Sequence, residues 1–298
     1  MDSFSSKYDD KFDFVASIPN PHSFKSMCEI ASNVLINTHF QFVHTPHFQG
    51  IRVDTIDPNM VCMVKARFAC NVWLNPHAVK DAPGGMRVCL RMKTLTTVFR
   101  HVSANHMLNI QREKGSSNIV LRVYNRFDQS SSMEFVIKTL EQKVTDASIN
   151  NIDSKYTIEM MLTQCKTMFK MGKDIRAPNM QFEIFESPKN AETYFRILAN
   201  GDEATARYTF QSSTKRSTTE SGQSVYALEQ QTVQPCLDGM TCVYNEMFST
   251  EFLNLFLKSM EKQTLHLTLV PDGPLILHYQ LGGDQSVIRF VLAPHLKD

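Results

Sequence analysis

No stretch of the 298 residues approaches the roughly 18 consecutive apolar residues that a membrane-crossing helix requires. The expectation is therefore a protein without a membrane partner. Cysteine is sparse: the chain has seven, an odd number without paired spacing. That count argues against a disulfide framework and suits a reducing compartment. The opening MDSFSSKYDDKFDF is polar and acidic, so it lacks the character of a secretory signal. An excess of either charge is missing too, because the net charge is only +1. Any nucleic-acid partner must then be met by a local patch rather than by the whole surface. What is present is globular: 42% hydrophobic and 20% charged residues can build a core, and the length suits one large domain or two ordinary ones.

Catalytic patterns are also missing. His44 and His47 with Cys62 or Cys70 make at most a weak H-x-x-H metal pattern, lacking a second close pair. Cys28 and Cys165 fall on apolar helix faces, where a small core residue is the expected role. Gly84-Gly85 is not followed by the Gly-Lys-Ser/Thr of a phosphate loop. Asp9 and Asp10 belong to the terminal tail. The sequence predicts no enzyme, no metal and no cofactor.

A repeat dominates what remains. Phe24, Met27, Cys28 and Ala31 fall at i, i+3, i+4 and i+7, one face of a helix. The same spacing recurs at Leu95, Val98, Phe99 and Val102, then at Cys165, Met168, Phe169 and Gly172. A fourth quartet reads Phe252, Leu255, Phe256 and Ser259. The quartets begin 71, 70 and 87 residues apart. The longer interval contains residues 212–231, a Ser/Thr-rich stretch read as an inserted loop or hairpin arm. Between the helices lie alternating segments such as FQFVHT, MLNIQRE, MQFEIFE and LHLTLV, with turn formers between several of them. One helix plus a set of antiparallel strands, four times over, predicts an α+β fold of two similar domains. We place them at residues 1–140 and 156–298, with a polar linker at 141–155.

The polar helix faces carry cations: Lys25; Lys93 and Arg100; Lys166, Lys170 and Lys173; and Lys258. Taken singly, each is an ordinary solvated face, and Glu29, Glu251 and Glu261 interrupt the pattern. Together, on equivalent faces of a repeated unit, they suit a shared anionic partner contacted through phosphates with little sequence preference. A second oddity is GIRVDTIDPNMVCMVKARF, residues 50–68. Its Asp57-Pro58-Asn59 turn is bracketed by apolar Ile56, Met60 and Val61, with Met63 close behind.

That hairpin resembles one in the DNA sliding clamps of the proliferating cell nuclear antigen type. The closing segment, EFLNLFLKSMEKQTLHLTLVPDGPLILHYQLGGDQSVIRFVLAPHLKD, is more specific. It is similar to the family's last helix, with Leu253, Asn254 and Phe256 followed by Lys258, and to its terminal Leu-Ala-Pro. The resemblance implies a non-enzymatic, two-domain subunit, three copies of which close head to tail around duplex DNA. The partners it implies are double-stranded DNA, a DNA polymerase and other proteins bearing short clamp-binding peptides, with room for a clamp loader. It carries the DNA-facing role onto Lys25, Arg100, Lys173 and Lys258, with Lys93, Lys166 and Lys170 as compensating cations. Ser32 and Glu251 depart from the pattern, as do the long loop over residues 71–88 and the insertion at 212–231. The implied peptide groove matches Ile56, Met60, Val61 and Met63; Ile149, Ile152 and Tyr156; and Pro274, Val291, Ala293 and Pro294. The implied subunit interface pairs residues 133–140 of one copy with 206–211 of the next, through Met133, Phe135, Tyr208 and Phe210. A nuclear or viral replication compartment is the expected location. Two alternatives stay open: a subunit of a heterotrimeric checkpoint-type clamp, and a monomeric or dimeric processivity or transcription factor that does not encircle DNA.

Overall fold

The computed structural model describes residues 11–79, 85–128, 132–142, 156–188, 192–212, 217–218, 224–231, 237–261, 264–281 and 286–295. The chain folds into two compact units. The first comprises residues 1–58, 64–147 and 280–288; the second comprises 59–63, 148–279 and 289–298. The units thus exchange two short pieces that a simple cut in the linker does not anticipate.

In the first unit, helix α1 (Pro21–Ser32) begins on Asn20, whose side chain accepts from the His22 N–H, with Pro21 at the first helical position. A short turn of helix, α2, covers Pro76–Val79, and α3 covers Met92–Phe99. Five strands run in the order Asn71–Leu74, Phe12–Ile18, His106–Glu113, Asn118–Asn125 and Ser132–Lys138. Four more run Met86–Arg91, Asn37–His44, Gln49–Ile56 and Cys62–Ala69. Phe14 from the first set stacks on Phe42 from the second at 4.0 Å. Phe24 of α1 centres the core, its ring 5.1 Å from Phe68 and 5.6 Å from Phe99 of α3. Gly50 is required where two strands meet: its φ is +154°, and a Cβ would stand 2.1 Å from the Phe68 carbonyl oxygen.

Helices α4 (Leu162–Asp174) and α5 (Thr250–Leu257) belong to the second unit. Its strands follow the order Thr241–Ser249, Asn179–Glu186, Thr193–Asn200, Thr205–Ser212, Ser224–Gln231, Tyr156–Met161, Thr264–Leu269, Leu275–Gln280 and Val287–Leu292. Phe182 lies within 6.2 Å of Phe169, 6.0 Å of Phe195 and 5.5 Å of Phe248. The two units solve one packing problem with inverted parts. The α1 quartet places Phe24 first and Cys28 third, whereas the α4 quartet places Cys165 first and Phe169 third. Both pairs are buried, so bulk moves by one turn while the helix face stays filled.

Several expectations need correction. The fourth quartet is shifted by one residue: Leu253, Phe256, Leu257 and Met260 are buried, while Phe252, Leu255 and Ser259 are partly exposed. The segment read as a long loop over residues 71–88 contains the strand Asn71–Leu74, α2 and the start of the strand Met86–Arg91. For residues 212–231 the hairpin-arm alternative is the one observed: Ser224–Gln231 is a strand that pairs antiparallel with Ser217–Thr218. It runs parallel to Tyr156–Met161, and it pairs antiparallel with Phe210–Ser212. Of the linker, only Glu141 and Gln142 fall among the described residues.

One sheet face of the second unit carries a row of titratable groups. Glu159 pairs in register with His266, and His266 with His278. Burial, then the Arg289 charge, then His266 lower the His278 pKa from 6.5 to about 4. Between those values the unfolded chain binds a proton that the native unit does not, so stability falls as pH falls through this window. With solvent screening, we expect a loss of about 1–2 kcal/mol between pH 6.5 and 4. Comparing denaturant midpoints of wild type and His278→Gln checks this. The variant should show a shallower acid slope, and an identical slope would contradict it.

Candidate nucleic-acid interface

The helices of each unit pack as a pair, and a lysine fastens each pair. Lys25 of α1 donates its Nζ to the Val102 carbonyl at 3.3 Å, just beyond α3. Lys166 of α4 donates its Nζ to the Met260 carbonyl at 2.5 Å, just beyond α5. Val102 and Met260 close their quartets, so the two contacts occupy the same place in the repeat. Asn254 adds a second tie in the second unit: its amide donates to the Phe169 and Thr250 carbonyls, both at 2.8 Å. Sequence reasoning assigned Lys25 and Lys166 to the DNA-facing set. The structure uses both ammonium groups to hold helix pairs together.

The other cations are differently placed. Lys93, Arg100, Lys170, Lys173 and Lys258 are exposed, and none of their charged side-chain groups forms a hydrogen bond or ion pair among the described residues. In the second unit they converge. An open cleft of about 920 Å³ is lined by Lys166, Lys170, Lys173, Arg176 and Lys258, with Asp174 and Glu251 as its two carboxylates. Arg176 is a residue the sequence reading missed. It sits just past α4 at φ 57°, a left-handed conformation that turns the chain out of the helix beside the cleft. Five cations against two carboxylates make a surface suited to phosphate groups. The burial that shapes the helix pairs also quiets their thiols: it pushes Cys165 up to about 12 and raises Cys28 well above its ordinary value, with Glu29 adding to the latter. Among the described residues, no group of three or more His, Cys, Asp or Glu side chains could hold a metal ion. No helix among them is long and apolar enough to cross a membrane.

No protein-family model matches the sequence, and no curated protein matches it either. Solved structures do resemble the fold. Proliferating cellular nuclear antigen from Entamoeba histolytica gives a TM-score of 0.71 at 15% identity, covering 96% of this chain and 100% of that one. The fold is that of a PCNA-type clamp. PCNA from Thermococcus kodakaraensis gives 0.68 at 15% identity, with 95% and 100% covered. A PCNA2–PCNA3 complex from Sulfolobus tokodaii gives 0.66 at 15% identity, with 94% and 99% covered. The clamp fold therefore spans nearly the whole chain, and the α+β reading of two repeated units holds.

Within this clamp fold the predicted peptide groove is only partly on the surface. Met60 is 72% exposed and adopts φ 59°, a conformation costly for a side chain, at the tip of the apolar turn. In the second unit, the Ala293 N–H donates to the Val61 carbonyl at 2.9 Å, joining that tip to the C-terminal segment. Val61, Pro274 and Pro294 are half-buried and Ala293 is exposed. Met63, Tyr156 and Val291 are buried and serve as packing beneath. Ile56 is half-buried in the first unit. Ile149 and Ile152 lie outside the described residues.

The predicted interface strands are both sheet edges, in part. Ser132–Lys138 pairs only with Asn118–Asn125 among the described residues. Its Met133 is exposed and Phe135 half-buried, but its most exposed apolar side chain is Val136, at 61%, which the sequence reading did not select. On Thr205–Ser212, the stretch from Phe210 to Ser212 is already paired with Ser224–Gln231, and among the described residues nothing pairs with this edge over residues 205–209. Phe210 is buried and stacks on Phe195, so it belongs to the core, whereas Tyr208 is half-exposed.

Proposed function

We propose that this chain is a DNA sliding clamp, a non-enzymatic subunit that closes with two further copies into a ring around duplex DNA and tethers a polymerase. The observation that carries the reading is the doubled helix pair: each unit fastens two helices with an equivalent lysine and leaves its remaining helix cations exposed and unpaired. A tether that must slide is served by such exposed, weak phosphate contacts rather than by base readout. The edges at Ser132–Lys138 and at residues 205–209, unpaired on one side among the described residues, suit head-to-tail strand pairing, a heterologous contact that closes when its rotation allows. A mass measurement of the purified chain in solution tests it: a trimer is expected, and a monomer at all concentrations would contradict it. The complex of two different clamps seen for Sulfolobus tokodaii favours a second reading, in which this chain assembles with a different clamp subunit. Under that reading the chain alone stays monomeric and forms a ring only with its partner.

Client proteins would dock at the turn tip, where Met60 and Val61 meet Ala293 and Pro294, by inserting an apolar or aromatic anchor. Met60→Ser with Val61→Ser should weaken binding of a client polymerase at least about tenfold, with a stability change near 0.5 kcal/mol for surface sites. Titration calorimetry with that polymerase decides it, and unchanged affinity would move the docking site elsewhere.

A further inference from the structure

The first unit carries a second cationic surface, on the face of its four-stranded set turned away from α1. Phe40 and Phe42 of Asn37–His44 are buried, and Phe40 meets Phe24 of α1 at 6.3 Å. The alternating residues point the other way. Gln41 stands in register between Arg87 and Arg52. The guanidinium groups of Arg52 and Arg67 both lie over the Phe48 ring, at 5.0 and 5.9 Å from its centre. Lys65 and Arg87 are close enough, with those two arginines, to act electrostatically on Asp54. The Nε of Arg52 is buried and has no hydrogen-bond partner among the described residues, while the Arg67 side chain stands at the surface.

The chain's own residues 140–142 already lie against this set of strands, at the edge of Met86–Arg91 and over Asn37 and His39. Leu140 donates its N–H to the Cys89 carbonyl at 2.9 Å. The Asn37 amide donates to Gln142 Oε1 at 3.3 Å, and His39 Nε2 bonds the Gln142 carbonyl at 3.1 Å. Backbone and side chains here are thus arranged to receive extended polypeptide, beside the row of cations.

We propose that this surface, centred on Arg52, Arg67, Lys65 and Arg87, docks an acidic protein segment. A duplex held at the exposed helix cations of this unit would leave the surface free, because it lies on the opposite face of the strands. Asp54 among the cations would oppose an unbroken line of phosphates, but it is compatible with a peptide in which acidic and neutral residues alternate.

The test uses the full chain and a labelled peptide of alternating Glu and Ser, with a single-stranded oligonucleotide of equal charge as the comparison. Salt-sensitive peptide binding is expected. It should weaken at least about tenfold in Lys65→Glu with Arg67→Glu, whose side chains are exposed enough to leave folding intact. Arg52→Lys, which keeps the charge but loses the guanidinium fork, should weaken it several-fold. Lys173→Glu with Lys258→Glu should leave it unchanged. Equal peptide binding by wild type and the Lys65/Arg67 variant would overturn the proposal, as would no peptide binding by wild type. Binding of the oligonucleotide but not the peptide through these residues would overturn it in favour of a nucleic-acid surface. Failure of the chain to form rings would leave this result unaffected, so the two ideas are separable.

Discussion

Lys173→Glu with Lys258→Glu should reduce affinity for linear duplex DNA at least about a hundredfold at physiological salt while leaving the fold intact. The cleft of the second unit has five cations and two carboxylates. The double reversal leaves Lys166, Lys170 and Arg176 facing four carboxylates, so the sign of the local charge changes. Losing two phosphate contacts should also flatten the salt dependence, lowering the slope of log K against log salt by about 2. Both side chains are exposed and unpaired, so the thermal midpoint should barely move. Lys25→Glu and Lys166→Glu should behave differently. They break the ties to Val102 and Met260 and should lower stability before they affect DNA. Filter-binding titrations on linear duplex over a salt series, beside melting curves, separate the two classes; unchanged affinity in the double variant would remove the α4–α5 cleft from the mechanism.

Val136→Glu should convert the assembled protein to monomers. Val136 is an exposed β-branched residue on an edge strand, flanked on its own face by Glu134 and Lys138. Its exposure has no value to an isolated subunit and becomes useful only if another strand covers it. Placing a carboxylate there would bury an unpaired charge in every subunit contact, at a cost of several kcal/mol each. Sedimentation velocity should show the mass fall to that of one chain, with the far-ultraviolet spectrum unchanged. A persistent trimer would show that this edge is not the interface.

The helical plan was legible because its signal is local. The α1, α3 and α4 quartets are the buried faces, and they give the repeat directly. In α5 the apolar run is denser: Phe252, Leu253, Leu255, Phe256 and Leu257 offer two overlapping faces, and only packing selects the one ending at Met260. The strand Phe12–Ile18 was hidden by the acidic residues before it, although FDFVASI is largely buried. The strand Met86–Arg91 was hidden by the turn formers ahead of it.

The candidate site was legible to a lesser extent. Lysines on a polar helix face look alike in sequence, and nothing local separates Lys166, bonded to a carbonyl 94 residues away, from its neighbour Lys170. Arg176 was missed because its place depends on a left-handed turn that a non-glycine residue rarely marks. Val136 was the exception that a signal was available to find. It is an apolar residue on the charged side of an alternating strand, and it was passed over for the aromatic residues on the other side.

The central claim is topological, and DNA ends test it most directly. The protein should be assembled on nicked circular DNA, washed at moderate salt, and measured again after one restriction cut. A ring is held by closure rather than by affinity, so it should stay on the intact circle and be lost once the DNA is linear. Equal loss from both forms, or equal retention on both, would contradict encirclement.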